Sequence, residues 1–554
     1  MNSAAADPEA GVVAEPGDEG ERHLVRSSTV VGLGTALSRV TGLVRVLALA
    51  GIGFTGLTDA YNLANNTPNI IYELVLGGIL TATIVPLYVE YLKRDDQRAS
   101  DAINTVSIVV LLAISVLGVL IAPWLIRLYA SLKPSGAGNQ QQQQLATDLL
   151  RWFMPQVFFY GVTELASAML NARRRFAAAA FAPILNNVIV IAVLLALPRA
   201  AHEAPTVHSV LDDPGLVLLL GLGTTAGVVA MALVLLPALR SCQARFRWTW
   251  EWRHPAVRQL ARLSSWTLGY VIANQVALAI TMALAYRHAG DLSLYAFAFA
   301  VFQLPHGLFA VSIMTALAPE LAAAAQRGDI ASLREQLGNG FRLMALVVLP
   351  SSVILAVVAR PMTNGVLPLL ASKSVPTHPA TTADVLVAFM VGLLAYSTYL
   401  FMLRGFYALQ DTRTPFWLNC LENGLNIALA FALYAWIGVR GLALSWSLAY
   451  IGAGVVTLYA MRRRLGRLEG RRMVDSALRV AGASAVMGIV AYAAESAIGY
   501  DSTGSALLAM IVAVVAGGVV FLGAAWLFRV KELTMLRDAL RPSARQLDPA
   551  APGL

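Results

Sequence analysis

Apolar residues in this chain run in blocks separated by short polar turns, and about 20 apolar residues in a helix span the hydrocarbon core of a bilayer. Fourteen such blocks can be marked, at residues 27–52, 60–90, 102–128, 147–171, 176–198, 215–240, 261–286, 292–324, 335–360, 384–409, 414–437, 440–461, 474–498 and 504–529. The pattern predicts an all-α polytopic membrane protein with about 14 transmembrane helices.

Charge alternates between successive turns. Lys93, Arg94 and Arg98 follow the second block, Arg173, Arg174 and Arg175 the fourth, and Arg245, Arg247, Arg253 and Arg258 the sixth. Arg327 follows the eighth and Arg413 the tenth, while Arg462, Arg463, Arg464, Arg467, Arg471 and Arg472 follow the twelfth. The intervening turns hold little more than Lys133, Arg199, Arg287, Lys373 and Arg440. Positive charge gathers on cytoplasmic turns, so an even number of spans in the cell (plasma) membrane with both termini cytoplasmic is expected.

Composition agrees with that class: 57% of the 554 residues are hydrophobic and 13% charged, and the mean hydropathy is +0.65. The formal charge of +9 would suggest nucleic acid in a soluble chain. Here the cations sit in membrane-flanking turns, so no nucleic-acid partner is expected. Two cysteines, Cys242 and Cys420, imply neither a disulfide framework nor a metal site. The acidic, Gly/Pro/Ala-rich first 25 residues lack an apolar signal core and read as a disordered cytoplasmic tail. Two polar connections, 136–148 with its run of five glutamines and 202–215, are expected to be mobile loops without chemistry.

A faint repeat at an offset of 237 residues places Ser27-Ser28 on Ser264-Ser265 and Pro68 on Pro305. It suggests two six-helix lobes around a central cavity, related in the parallel sense because each holds an even number of spans, plus two C-terminal helices. The expected division is an N-tail at 1–25, an N-lobe at 26–240 and a basic cytoplasmic linker at 241–260. A C-lobe at 261–463, an extra helix pair at 464–530 and a cytoplasmic C-tail at 531–554 complete it.

Candidate chemistry begins in the first block, where Arg39 and Arg45 lie within apolar sequence. A cation at bilayer depth costs roughly 2.5–3.5 kcal/mol, so one that persists usually faces a polar cavity or a partner. A planar guanidinium suits bidentate contact with phosphate, and an anion path follows. The two arginines are six residues apart, about 120° around an ideal helix, so they share a face only if the helix bends at Gly42. Arg45, near the outer end, has snorkelling as its bland alternative.

The second block carries Asn62, Asn65, Asn66, Pro68 and Asn69 ahead of Glu73 and Gly77-Gly78, with Asp59 just before them and Tyr72 beside Glu73. Interhelical hydrogen bonding accounts for any single asparagine. As a group they mark a cavity wall or a bent helix. Asn274 in the seventh block and Asn419 and Asn423 in the eleventh form a possible cation site, with Glu422 able to accept a proton, although packing is the simpler role for amides without formal charge. Glu164 in the fourth block could pair with a cavity arginine or carry a proton. No phosphate-binding loop or zincin motif is present and the seven histidines are scattered. No enzyme, cofactor or certain metal site is expected, so transport would draw on Na⁺, protons, membrane potential or downhill substrate flux.

The motif order Ser38-Arg39-Val40-x-Gly42-x-x-Arg45, Thr58-Asp59-Ala60, Pro68-Asn69 and Pro86 resembles the MurJ (MviN) family of lipid II flippases in the multidrug/oligosaccharidyl-lipid/polysaccharide exporter superfamily. Gly405-Phe406-Tyr407-Ala408-x-Gln410-Asp411-x-x-Thr414-Pro415, and its counterpart Asn171 to Phe176 with Phe181-Ala182-Pro183, carry the resemblance further. The glycine step and the Arg/Ala-rich composition look actinobacterial. The resemblance implies movement of lipid II, the undecaprenyl-pyrophosphate-linked peptidoglycan precursor, to the outer leaflet by alternating access of two lobes. It places Arg39, Arg45 and Asp59 at substrate-binding positions, with the arginines on the pyrophosphate and Asp59 pairing with one of them in one conformation. Asn62, Asn66, Tyr72, Glu73, Glu164, Arg287 and Arg404 become possible cavity or gating residues. Cell-wall synthesis or division proteins are possible partners. The chain departs from the family where cavity arginines are replaced by Tyr72 and Ala300, for which Arg287, Arg151 or Arg404 would have to compensate. A flippase for another polyprenyl-linked glycan and a drug or cation antiporter are the alternative transporters, and a scaffold recruiting cell-wall proteins is the non-transport one.

Overall fold

The computed structural model describes residues 18–74, 88–91, 94, 96–133, 137–173, 175–201, 204–242, 247–257, 265–370, 378–466, 468 and 470–533, and among them the regular elements are all helices. The first six apolar blocks fall on α1 (Asp18–Ala50), α2 (Gly56–Tyr72), α3 (Gln97–Ala130), α4 (Ala137–Phe153) followed by α5 (Pro155–Ala172), α6 (Phe176–Ala200), and α8 (Pro214–Leu233). Short helices α7 (Val207–Asp212) and α9 (Leu236–Ser241) flank α8. The next six are α10 (Ser265–Ala285); α11 (Asp291–Pro305) running through a π-helical turn, His306–Ala310, into α12 (Val311–Gln326); α13 (Ile330–Val357); α15 (Pro379–Met390) with α16 (Leu393–Ala408); α17 (Arg413–Ile437); and α18 (Val439–Leu465). After α13 comes the short α14 (Ala359–Leu370), and α19 (Gly470–Ile498) and α20 (Thr503–Leu527) close the bundle.

Eleven of these helices are long and apolar enough to cross a membrane, or twelve when α15 and α16, bent by 40°, count as one span. Two expected blocks account for the difference from fourteen. The block at 60–90 falls partly outside the described residues, with Gly77, Gly78 and Pro86. The block at 147–171 begins ten residues earlier, at Ala137, and is broken at Phe153–Pro155, because proline tolerates only the first helical turn.

Three further expectations are corrected. Residues 18–25, assigned to a disordered tail, are the first turns of α1. The glutamine tract is helical as part of α4, consistent with the favourable helix propensity of Gln, and Gln142 within it is buried and accepts a hydrogen bond from Lys133 Nζ. The connection at 202–215 contains α7, capped by Thr206, which accepts from Ser209 N at 3.1 Å.

The same packing pairs recur in the two sets of six. In the first set α1 packs on α6, α6 on α8, α3 on α5 and α5 on α8; in the second α10 packs on α17, α17 on α18, α13 on α16 and α16 on α18. Helices in lipid associate by close packing and hydrogen bonds rather than by apolar burial. The α6–α8 contact illustrates this, since a Cβ on Gly227 would lie 2.6 Å from Asn186 Oδ1. Asn187 Nδ2 ties α6 to α1 by donating to Ser38 O at 3.2 Å and Thr41 Oγ1 at 3.0 Å. The final pair α19–α20 docks on α13 and α14. Helices α10 and α11 reach across to α1, α2 and α3 and form the seam between the sets.

Candidate functional site at the seam

The turns that carry the arginine clusters lie on one face, termed here the basic face; the α1–α2 and α10–α11 connections lie on the opposite one. At the opposite face Asp59 is fully buried and accepts three hydrogen bonds from the start of α11: Gly290 N at 2.6 Å, Ser293 N at 2.8 Å and Ser293 Oγ at 2.7 Å. Free N–H groups and the helix dipole make such an N-terminus a strong seat for an anion. Gly290 adopts φ +93°, which lets its N–H turn toward the carboxylate, and a Cβ there would run into Phe54 O. Asn62 Nδ2 adds a bond to Ser293 Oγ at 3.0 Å, and the Phe54 and Phe297 rings meet at 5.7 Å. Lys133 Nζ lies 4.2 Å above the Tyr286 ring, and the Tyr286 hydroxyl donates to Gln142 O at 3.4 Å. These contacts join the first set of helices to the second. The expectation that Asp59 pairs with an arginine does not describe this conformation, because α11 occupies its oxygens.

Arg39 lies about 16 Å along α1 from its end at the opposite face, near mid-depth of a bilayer. Side chains lean toward the N-terminus of their helix, and the Arg39 guanidinium rests against Gly307, where an added Cβ would land on Nη1. Gly307 belongs to the π turn that follows Pro305. Proline removes one intrahelical donor and crowds the preceding carbonyl, which a wider turn relieves. Beside it, buried His306 bonds Ser397 Oγ through Nδ1 at 3.0 Å and packs on Tyr396 at 4.4 Å between ring centres.

Arg45 points elsewhere, within electrostatic range of Tyr160 on α5. The Tyr160 and Tyr72 rings are 5.7 Å apart, and Tyr72 hydrogen-bonds Glu164. Glu164 therefore takes a tyrosine rather than an arginine as its partner, and exposed Glu73 lies close enough to interact with it. The 120° separation of the two arginines is expressed directly: one faces the second set of helices and the other the first. Asn66 is half-buried, as is Ala300, which lies six residues before the π turn.

In the second set, the three asparagines do meet. Asn274 Oδ1 accepts from Asn419 Nδ2 and from Asn423 Nδ2, each at 3.1 Å. Two N–H groups thus point where a cation would require oxygens, and the cluster ties α10 to α17. Buried Glu422 leaves Oε2 without a protein partner among the described residues and sits among Tyr270, Tyr295, Tyr396, Tyr399 and Tyr450. Arg287 does not join Arg39: it follows the end of α10 at the opposite face, with its guanidinium 5.5 Å from the Tyr434 ring centre. Arg151 likewise pairs with Asp148 at 3.5 Å, and Arg404 is exposed near Tyr407. Ser293, Gly290, His306 and Lys133 were not singled out by sequence reasoning for the seam. The Pro305-His306-Gly307 run was the available signal for the π turn.

On the basic face Asp411 caps α17, accepting from Thr414 N at 3.0 Å and Thr414 Oγ1 at 2.7 Å. Burial raises its carboxyl, but the Thr414 donors, the Arg413 N–H and the positive Arg464 outweigh that and hold it below the usual carboxylate range. A depressed carboxyl contributes stability that is present above its unfolded value of about 3.9 and is lost as pH falls through the folded one. Asp411→Ala is expected to lower the melting temperature at pH 7 through a lost cap of about 1 kcal/mol. The gap from wild type should narrow below about pH 4, as thermal melts of the purified protein across pH would show.

The family model described as lipid II flippase MurJ matches residues 49–512. The chain belongs to the MurJ lipid II flippase family. MurJ relatives include a lipid II flippase of Burkholderia cenocepacia, 29% identical over 80% of this chain and 84% of its own length. A probable one from Rickettsia prowazekii is 24% identical over 80% and 85%. Among solved structures, a MurJ described as in an inward closed conformation superposes with a TM-score of 0.72 at 21% identity, covering 93% of this chain and 100% of that one. An inward-facing multidrug transporter of the MATE family superposes at 0.64 and 14% identity, over 78% and 96%. The chain is thus a multi-pass membrane transporter of the MurJ fold and not an enzyme.

Proposed function

We propose that this protein moves lipid II across the plasma membrane by alternating access, with Arg39 and Arg45 engaging the pyrophosphate in turn. The observation that carries this reading is the Arg39 guanidinium at mid-depth on the seam between the two helix sets, seated on the π turn. A diphosphate is expensive to bring to that depth unless a fixed cation meets it. The basic face, with both termini, is the cytoplasmic one on charge grounds. The Asp59, Asn62, Gly290 and Ser293 cluster then acts as the outer gate, and its parting would accompany rocking of one six-helix set on the other. Glu422, with an unpartnered carboxylate oxygen, is the acid in the second set best placed to couple a proton to that motion.

The test is outer-leaflet exposure of lipid II in cells depleted of their own flippase and complemented with wild type, Arg39→Ala or Arg45→Ala at matched membrane expression. Loss of exposure with lipid II accumulating inside is expected of both variants. Normal exposure in both would overturn the arginine mechanism and favour another polyprenyl-linked substrate or a scaffold role.

A further inference from the structure

A cavity of about 430 Å³ lies at the opposite-face ends of α13, α15 and α19, beside Arg360 at the start of α14, and its lining includes no residue of α1 or the π turn. Its walls are tied together. α19 closes on α13 at Gly488, where an added Cβ would lie 2.8 Å from Val353 Cγ1, and Ser352 Oγ joins α13 to α15 by donating to Met390 O at 2.7 Å. Two acids and one arginine line the cavity. Asp384 is answered twice, by Arg440 Nη2 at 3.0 Å and by Arg360 Nη2 at 3.5 Å, and Arg360 also hydrogen-bonds Tyr500. Glu495 is not answered in this way. It is 3% exposed, its Oε2 has no hydrogen-bond partner among the described residues, and Arg360 acts on it only at a distance.

Polarity changes along the depth of the cavity. Glu495 sits three residues before the end of α19, about 4.5 Å below it. Farther in, Val353, Val387 and Val391 form apolar walls, and Tyr492, one turn below Glu495, stands 62% exposed at the side. A buried polar group without a donor is costly, and each one calls for a partner. With two acids facing one arginine, an anion gains nothing here, and a neutral ligand leaves the Glu495 charge unanswered. A cation carrying N–H donors answers it, the Tyr492 ring adds cation–π attraction, and an apolar body fills the rest. The volume falls within the range of about 300–1,000 Å³ usual for small-molecule sites.

We propose that this cavity binds small amphipathic ammonium compounds, at a site separate from the Arg39 seam. The ammonium donates to the Glu495 carboxylate beside the Tyr492 ring, and the apolar body lies inward between α13 and α15. An ammonium group is also carried by the headgroup of phosphatidylethanolamine, and the test separates a free amine from that lipid.

Full-length protein in detergent would be titrated with monodansylcadaverine, an amphipathic primary amine whose fluorescence reports entry into an apolar site. Its neutral N-acetylated form is the control, and the signal from protein-free micelles is subtracted. A charge-assisted hydrogen bond corresponds to roughly ten- to hundredfold in affinity, so wild type should bind the amine at least about tenfold more tightly than the acetylated form. Glu495→Gln, which keeps the shape and removes the charge, should lose that preference. Tyr492→Leu should weaken amine binding about two- to fivefold. Glu335→Gln, at an exposed position near the far end of α13, should bind as wild type does. Val391→Trp fills the apolar end with Glu495 intact and should also abolish binding, which keeps the test decisive if Glu495→Gln folds poorly. Equal binding of the amine and its acetylated form, or unchanged binding in Glu495→Gln, would overturn the proposal. So would displacement of the probe by phosphatidylethanolamine and not by phosphatidylglycerol, which would assign the cavity to a leaflet lipid. None of these measurements involves lipid II, so failure here leaves the flippase assay independent.

Discussion

Asp59→Ala is expected to part the two helix sets at the opposite face and to abolish lipid II exposure while leaving the protein in the membrane. The carboxylate is the acceptor for Gly290 N, Ser293 N and Ser293 Oγ, and its removal strands three donors at a buried seam. Each unsatisfied buried donor costs about 1–3 kcal/mol, so closure weakens by roughly 3–9 kcal/mol. A change of about 5.5 kcal/mol is enough to invert a 99:1 equilibrium. Spin labels at Leu132→Cys and Ala380→Cys, both on that face and exposed, in a background lacking Cys242 and Cys420, would read the separation. A longer distance in Asp59→Ala is expected; an unchanged distribution would show that the seam is held by the Phe54–Phe297 and Tyr286–Gln142 contacts alone. Asp59→Asn, which keeps one acceptor oxygen, should fall between.

Gly307→Leu should reproduce the loss of transport expected on removing Arg39 without touching that arginine. A Cβ at this position already meets the guanidinium, so a branched side chain displaces it from the π turn. A charge-assisted hydrogen bond contributes about 1.5–3 kcal/mol, which corresponds to roughly ten- to hundredfold in rate if the displaced contact is made to the substrate. Gly307→Ala should cost less, since the group in its way is the far end of a flexible side chain. Initial rates of lipid II exposure at matched expression would decide the order. Full activity in Gly307→Leu would place the working contact of Arg39 away from the π turn.

Family and fold class were legible in the sequence because they rest on local properties: the length of apolar runs, charges in turns and short motifs around Arg39, Asp59 and Asp411; of the fourteen expected spans, eleven or twelve are recovered among the described residues. Helical periodicity also predicted correctly that Arg39 and Arg45 diverge. The partner of each was not legible. Arg39 meets a glycine 268 positions away because a proline two residues earlier opens a π turn, and nothing in periodicity specifies which helix lies across the seam. Glu164 illustrates the same limit: its depth suggested pairing with an arginine or a proton site, and the packing of α2 on α5 placed Tyr72 beside it.

What the sequence by itself determined is that this chain must live in a bilayer as helices, with its positive turns on one side, because backbone satisfaction and transfer energies leave no other solution. Tertiary structure alone decided that Asp59 is seated on the N-terminus of α11 rather than beside an arginine. It also turned three asparagines into a hydrogen-bonded tie between α10 and α17, and placed the glutamine tract in a helix that touches the seam. The physical reason is separation along the chain. Asp59 and Ser293 are 234 residues apart, and a hydrogen bond over that span depends on the packing of every helix between them, while the spacing within one helix fixes only which face a residue occupies.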